Sequence, residues 1–78
     1  MISFYVILGI KGFRYVGITS NLKDRIGRHN QGSNTSTRSY KPFTVVYKEQ
    51  FPSYAEARKR EKFFKSGAGR KFLDNLKF

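Results

Sequence analysis

Residues 15–29 read YVGITSNLKDRIGRH, and the fold is organised around this stretch. Its first residues are aromatic and β-branched, which favours a strand, and its second half has helical periodicity. Residues three, four and seven positions apart share one face of a helix, so Leu22, Arg25, Ile26 and His29 form one stripe. Because burial of an unpaired charge is costly, a charged residue on such a stripe is either paired or lines a cleft. The stretch therefore predicts a strand, a turn and a helix whose inner face carries Arg25 and His29.

A partner strand is predicted immediately before this stretch. Residues 3–8 (SFYVIL) favour a strand, and the turn residues GIKG connect them to a second strand at residues 13–18. If paired residue numbers in this hairpin sum to 20, Tyr5 lies opposite Tyr15 and both rings share one face of the sheet. A slip of one residue would move the two rings to opposite faces.

The segment after the helix is a long polar loop at residues 31–42, QGSNTSTRSYKP. A loop of this length in a small domain is usually functional or mobile. Its cations, Arg38 and Lys41, lie among hydroxyl side chains, a composition that suits contacts with nucleic-acid phosphates. A solvated connector is the alternative interpretation of the same residues.

Residues 43–51 (FTVVYKEQF) predict a third strand, which Pro52 ends. Strict alternation along this strand would place Val45, Tyr47 and Glu49 on one face. A capping box, Ser53-x-x-Glu56, then begins a helix that runs to Gly67. A last short helix is predicted over residues 69–77, with its apolar side chains in the core: Phe72, Leu73 and Leu76.

The helix that follows the third strand carries a carboxylate on its apolar stripe. Glu61 lies in line with the apolar residues of that stripe, which are Tyr54, Ala57 and Phe64. One interpretation is a metal ligand that faces a cleft. The other is an ordinary helix salt bridge with Arg58, three residues earlier, or Lys65, four residues later.

The composition indicates a polyanionic partner. Sixteen Lys and Arg residues against five Asp and Glu residues give a net charge of +11. Such an excess favours nucleic acid as the partner and, second, an anionic membrane surface, while a basic surface without a partner is the plainest alternative. The helices lack the separate broad apolar face that a membrane-surface protein needs, so no membrane partner is predicted.

We expect residues 1–78 to form one soluble, cytoplasmic domain. No cysteine is present, and no apolar run is long enough to cross a membrane. A chain of this length buries only roughly 60–65% of its unfolded surface, so its core is thin. Eight Phe and five Tyr residues must supply most of that core.

The polar residues at core-facing positions suit the cleavage of a phosphodiester bond. A carboxylate such as Glu61 can hold a divalent cation, and Arg25 can stabilise negative charge on a phosphate. A tyrosine or histidine within reach of a water molecule, such as Tyr5, Tyr15 or His29, can orient it or accept its proton.

The same residues resemble the GIY-YIG endonuclease superfamily over nearly the whole chain, and in particular its small stand-alone bacterial members. Phe4-Tyr5 matches the end of the first family triplet, and Tyr15-Val16-Gly17 matches the second. Arg25 matches the catalytic arginine, His29 a position usually held by histidine or tyrosine, and Glu61 the glutamate that binds the metal. The sequence departs from the family at the first triplet, Ser3-Phe4-Tyr5, and at Ile18, where some branches have lysine. Asn75 is the candidate for an asparagine that several members use downstream of the glutamate.

The resemblance implies an α+β fold in which a three-stranded antiparallel sheet is flanked by three helices. It also implies a metal-dependent endonuclease that hydrolyses DNA with Mg²⁺, or with Mn²⁺ as a substitute, in repair, recombination or processing. Tyr5, Tyr15, Arg25 and His29 would be catalytic, and Glu61 would hold the metal. A domain of this kind can need a partner protein for targeting. The alternative function is a nucleic-acid-binding module without cleavage activity, for which the positive charge alone is sufficient.

Overall fold

The computed structural model describes residues 1–32 and 37–75, and within them it has the predicted α+β architecture. A three-stranded antiparallel sheet, in the order β2-β1-β3, is flanked by three helices. The elements are β1 (Ile2–Leu8), β2 (Arg14–Thr19), α1 (Leu22–Gln31), β3 (Thr44–Phe51), α2 (Tyr54–Lys65) and α3 (Gly67–Asn75). Short 3₁₀ turns precede β2 and β3, at Ile10–Gly12 and Arg38–Tyr40. Every helix in this part of the chain is too short or too polar to span a lipid bilayer.

Helices α1 and α2 begin at side-chain caps that can be identified in the sequence. The Asn21 side chain accepts a hydrogen bond from the Asp24 backbone N–H at 3.1 Å, and Ser53 accepts one from Glu56 at 3.4 Å. Each cap satisfies a backbone donor that the first helical turn leaves without a partner. Helix α1 ends at Gly32, whose φ of 79° lies in the left-handed region that favours glycine.

The hairpin register is shifted by two residues from the pairing in which Tyr5 lies opposite Tyr15. Tyr5 pairs with Gly17 and Tyr15 pairs with Ile7, so the two tyrosines are not directly opposite each other. The connection spans residues 9–13, and Lys11 and Gly12 within it both have positive φ, 61° and 72°. Since residues two positions apart share a face, Tyr5 and Tyr15 still lie on the same side of the sheet, as predicted.

Strand β1 is buried on both faces because helices cover both sides of the sheet. Tyr5 and Ile7 pack on the side of α1, whereas Phe4 and Val6 pack on the side of α2 and α3. All four side chains have no solvent-exposed surface. This central strand therefore fixes the positions of the helices on its two sides.

The predicted alternation along β3 is wrong at one point. A bulge lies where Val6 pairs with Tyr47 and Ile7 pairs with Val45, and it inserts an extra residue into β3. Val45 therefore packs on the α1 side, whereas Tyr47 packs on the α2 side together with Val46. The Glu49 carboxylate accepts hydrogen bonds from the Tyr47 hydroxyl at 2.5 Å and from Arg60 of α2 at 2.7 and 3.1 Å.

The apolar faces of α2 and α3 are narrower than predicted. Tyr54 is half exposed rather than part of the core, because it lies at the first residue of α2. Phe72 is also largely exposed and contacts the core through its ring edge, while Leu73 is buried. Helix α3 begins at Gly67, two residues earlier than predicted, and the predicted core residue Leu76 lies outside the described residues. Gly69 is required here, since a Cβ would collide with the backbone of Phe63 in α2.

Candidate active site

Helix α1 and the hairpin bring four of the predicted site residues together on one side of the sheet. The His29 ring lies 4.9 Å from the Tyr15 ring and 6.2 Å from the Tyr5 ring, between centroids. The two tyrosine rings are 6.4 Å apart. Arg25, one turn before His29, interacts electrostatically with both Tyr5 and His29. The stripe predicted from the helical spacing of Arg25 and His29 is therefore the face of α1 that meets the tyrosines.

A buried hydrogen-bonded chain runs through this cluster. The Tyr5 hydroxyl lies 3.3 Å from His29 Nε2, and His29 Nδ1 lies 3.1 Å from the Thr37 hydroxyl. All three residues are almost completely buried, with exposed fractions of 0%, 1% and 0%. Both ring nitrogens of His29 therefore have a partner, and the imidazole is held in one orientation.

Thr37 is the member of this cluster that the sequence analysis did not identify. It belongs to the polar loop, where several hydroxyl residues follow one another, and no local pattern distinguishes it from its neighbours. It is buried against His29 of α1, and three residues later the ring of Tyr40 stacks on Phe13 at 4.0 Å.

The electrostatic surroundings keep both Tyr5 and His29 uncharged near neutral pH. Burial raises the pKa of Tyr5 to about 12, with a further increase from Tyr15, against the lowering effect of Arg25. Burial also lowers the pKa of His29, and the positive charge of Arg25 lowers it further. A neutral phenol and a neutral imidazole can form one O–H···N hydrogen bond, and this bond brings no net charge into the core.

The two tyrosines differ in their access to solvent. Tyr5 is fully buried, and its ring lies across Gly17, where a Cβ would be 2.6 Å from the hydroxyl oxygen. Tyr15 is only partly buried and lines a cleft beside β2. Of the two phenols, Tyr15 is therefore the one that can contact water or a substrate directly in this conformation.

Glu61 approaches the cluster from the opposite side of the sheet. Helix α2 packs on the other face, but β2 is an edge strand, and the negative charge of Glu61 reaches Tyr5 and raises its pKa. Its carboxylate lies 3.5 Å from Lys65 Nζ, so the salt bridge that the spacing predicted is also present. Because the Lys65 side chain is 60% exposed, such a pair contributes little stability.

The donor set is compatible with a divalent cation that is shared with a substrate. No group of three or more acidic, His or Cys side chains forms a metal cage within residues 1–32 and 37–75. Glu61 is thus a single carboxylate, with 19% of its side chain exposed. Mg²⁺ commonly binds in this manner, through one or two carboxylates, several waters and the phosphates of the substrate.

The remaining predicted residues lie at the periphery. Arg38 and Lys41 are both exposed and lie close to Gly32 at the end of α1, where a Cβ on Gly32 would be 3.2 Å from Lys41 Nζ. Asn75 is exposed at the end of α3. Its role downstream of Glu61 stays a prediction.

Comparisons with known proteins identify the family of this chain. A profile of the GIY-YIG catalytic domain matches residues 1–72. A UPF0213 protein of Pediococcus acidilactici is 35% identical over 77 residues, which cover 95% of this chain and 79% of that relative. A UPF0213 protein of Staphylococcus haemolyticus is 42% identical over 48 residues, or 60% of this chain and 58% of that relative.

A solved structure has the same fold. The solution NMR structure of a UPF0213 protein from Bacillus halodurans matches with a TM-score of 0.58 and 32% sequence identity. The match covers 99% of this chain and 86% of that one. The chain therefore belongs to the GIY-YIG catalytic domain family, a nuclease family, and within it to the UPF0213 proteins.

Proposed function

We propose that this protein is a divalent-metal-dependent endonuclease that hydrolyses phosphodiester bonds of DNA. The observation that supports it best is the convergence of Tyr15, Arg25 and Glu61, from three different elements, around the buried pair of Tyr5 and His29. A hydroxyl, a guanidinium and a carboxylate at one edge of the sheet are the groups needed to orient water, stabilise charge and hold a cation. A net charge of +11 suits a polyanionic substrate.

In the proposed mechanism the exposed residues contact the substrate and the buried residues hold them in position. Tyr15 orients the attacking water or accepts its proton, since its side chain is only partly buried. Arg25 neutralises the charge that develops on the phosphate, for which a guanidinium fork is well suited. Tyr5 remains protonated, because its pKa is about 12, and it donates a hydrogen bond within the site with the assistance of His29.

Glu61 is the residue that would hold Mg²⁺, or Mn²⁺ as a substitute. When bound, such an ion supplies positive charge next to the scissile phosphate and the leaving oxygen. Lys65 would then lose its carboxylate partner and become available to a phosphate. A biological role in DNA repair, recombination or processing, with a partner protein for targeting, is part of this proposal.

The deciding experiment compares Glu61→Gln with Glu56→Gln. Both changes remove one carboxylate from α2, but Glu56 is exposed in the first turn, away from the cluster. Supercoiled, branched and single-stranded DNA are incubated with each protein in Mg²⁺, in Mn²⁺ and in EDTA. Metal-assisted charge stabilisation amounts to several kcal/mol, so Glu61→Gln should reduce cleavage by about two orders of magnitude or more. Glu56→Gln should cleave like the parent, and EDTA should abolish cleavage by both.

A second candidate function is DNA binding without cleavage, which the Glu61–Lys65 salt bridge favours. If Glu61 only forms this pair, its loss should cost about 0.3–0.5 kcal/mol of stability and nothing else. Cleavage by Glu61→Gln at the parental rate would contradict the metal assignment. Failure of the parent to cut any of the three DNA forms with either metal would favour the binding module.

A further inference from the structure

A basic cleft lies on the other side of β2 from the His29 cluster, between the edge of the sheet and the last two helices, and next to Glu61. It has a volume of about 290 Å³ and is bounded on one side by β2 and on the other by the junction of α2 and α3. Its floor is apolar, and its rim carries three cations: Arg14, Lys65 and Arg70. The sequence analysis assigned no role to this cleft.

The cleft is continuous with the site through two residues. Tyr15 lines the cleft and also packs against His29. Lys65, on the rim, forms the salt bridge with Glu61. A polynucleotide strand with a phosphate between Arg25 and Glu61 would therefore pass around the outer edge of β2 into the cleft.

The rim cations differ in their availability to an anion. Arg14 is held by Asp74 at 2.8 Å, and Lys65 is held more loosely by Glu61. Arg70 is exposed in the first half of α3 and has no ion pair within the described residues. A guanidinium that is exposed and unpaired can bind phosphate oxygens with two parallel hydrogen bonds.

The size and composition of the cleft indicate what it can hold. Its volume is near the lower limit of small-ligand sites, which suits a single nucleotide unit rather than a duplex. The apolar floor, formed by Val16, Phe64 and Leu73, can contact a sugar or base, while the cations on the rim meet the phosphate.

We infer that this cleft binds the sugar-phosphate backbone of the cleaved strand on one side of the scissile bond, with Arg70 as its principal phosphate ligand. The inference extends the proposed nuclease function, because it assigns a place for the nucleotide next to the reacting phosphate. It also gives the outer edge of β2 a function, since no further strand pairs with that edge within the described residues.

The test compares Arg70→Gln with Lys71→Gln. These consecutive residues of α3 are both exposed and each loses one positive charge, but only Arg70 lines the cleft. Binding of a fluorescein-labelled single-stranded oligonucleotide is measured in EDTA over a range of salt concentrations. Arg70→Gln should weaken binding and reduce the slope of log K against log salt by about 0.7, the value for one single-strand phosphate. Lys71→Gln should leave that slope unchanged.

Equal slopes for the two variants would overturn the inference. Charge reversal provides a second pair, Arg70→Glu and Lys71→Glu, and thermal melting confirms that each variant is folded. Because binding is measured without metal, this result is independent of cleavage. If the parent cuts DNA but the two variants bind DNA equally well, only the inference about the cleft is refuted. If the variants differ in binding but the parent does not cut DNA, only the nuclease proposal is refuted.

Discussion

The ring of Tyr5 lies across Gly17, its partner on the neighbouring strand, in the space that a side chain at residue 17 would occupy. A Cβ there would be 2.6 Å from the Tyr5 hydroxyl oxygen and 2.8 Å from Cζ. The absence of a side chain thus allows the phenol to reach the edge of the sheet, where it meets His29 and Arg25. This relationship gives Gly17 a steric role in the site.

Gly17→Ala should therefore displace Tyr5. The ring is fully buried and hydrogen-bonded to His29, so it cannot move aside as a flexible side chain would. We expect the free energy of unfolding to fall by about 1–3 kcal/mol, as for other overpacked sites, and cleavage to fall with it. Urea denaturation measures the first effect.

Gly27→Ala is the matched control for that change. Gly27 lies within α1, and a Cβ there would meet nothing within 4 Å. Alanine should stabilise the helix by roughly 0.4–1 kcal/mol, so the two substitutions should change the free energy of unfolding in opposite directions. A Gly17→Ala protein as stable as the parent would show that the space is not needed.

Thr37→Val should impair the site without changing DNA affinity. The change keeps the shape of the side chain but removes the hydroxyl that contacts His29 Nδ1. A buried nitrogen without a partner costs about 1–3 kcal/mol, and the imidazole is no longer held in one orientation. We expect a lower kcat with an unchanged KM. Thr37→Ser, which retains the hydroxyl, should recover most of the activity, and equal losses in both variants would exclude a positioning role.

The stability of the protein should decrease as the pH falls below about 6.5. The pKa of His29 is lowered in the folded state, whereas in the unfolded chain it has its ordinary value of 6.5. The unfolded state therefore binds more protons in this range, and acid favours unfolding. Urea denaturation at about pH 7.5 and about pH 5.5 should show the decrease in the parent and a smaller one in His29→Gln.

The titration of Glu49 does not contribute to the stability difference between these two pH values. The pKa of Glu49 is lowered: burial opposes the shift, but the hydrogen bonds from Arg60 and Tyr47 outweigh it. Its contribution to stability is lost only below its ordinary pKa of 4.5, which lies outside the range used. An identical pH dependence in parent and His29→Gln would contradict the assignment to His29.

Replacement of both Arg38 and Lys41 by Ala should weaken DNA binding for all sequences alike. If each contacts one phosphate of a duplex, the slope of log K against log salt should fall by about 1.8. The control is a double change of the same charge, Lys59→Ala with Lys71→Ala, at exposed positions of α2 and α3. An equal slope in the two double variants would show that Arg38 and Lys41 do not contact phosphates specifically, and the loop would then be a solvated connector.

The Arg38 and Lys41 variant should also lose a little stability. Lys41 Nζ lies beside Gly32 at the carboxyl end of α1, where the helix dipole favours a positive charge. The expected cost is about 0.3–1 kcal/mol, which leaves the fold intact for the binding measurement.

The sequence by itself determined the elements of this fold and the faces of its first helix and hairpin. The Asn21 and Ser53 caps and Gly32 act within a few residues of chain, so they can be recognised without tertiary information. The helical spacing of Arg25 and His29, and the strand parity of Tyr5 and Tyr15, correctly predicted which side chains share a face. Parity also explains why both tyrosine rings share a face in the observed register: a register shift of two residues leaves every side chain on the same face.

Only the tertiary structure decided which of these residues meet, and how deeply each is buried. The turn with positive φ at Lys11 and Gly12, and the bulge in β3, are features of the paired strands that no local pattern in the sequence marked. The roles of Tyr5 and Tyr15 became distinct only through burial, and Thr37 joined His29 only because the loop returns over α1. These contacts join residues distant in sequence, and their energies depend on how the whole core packs. Local propensity contains no information about them.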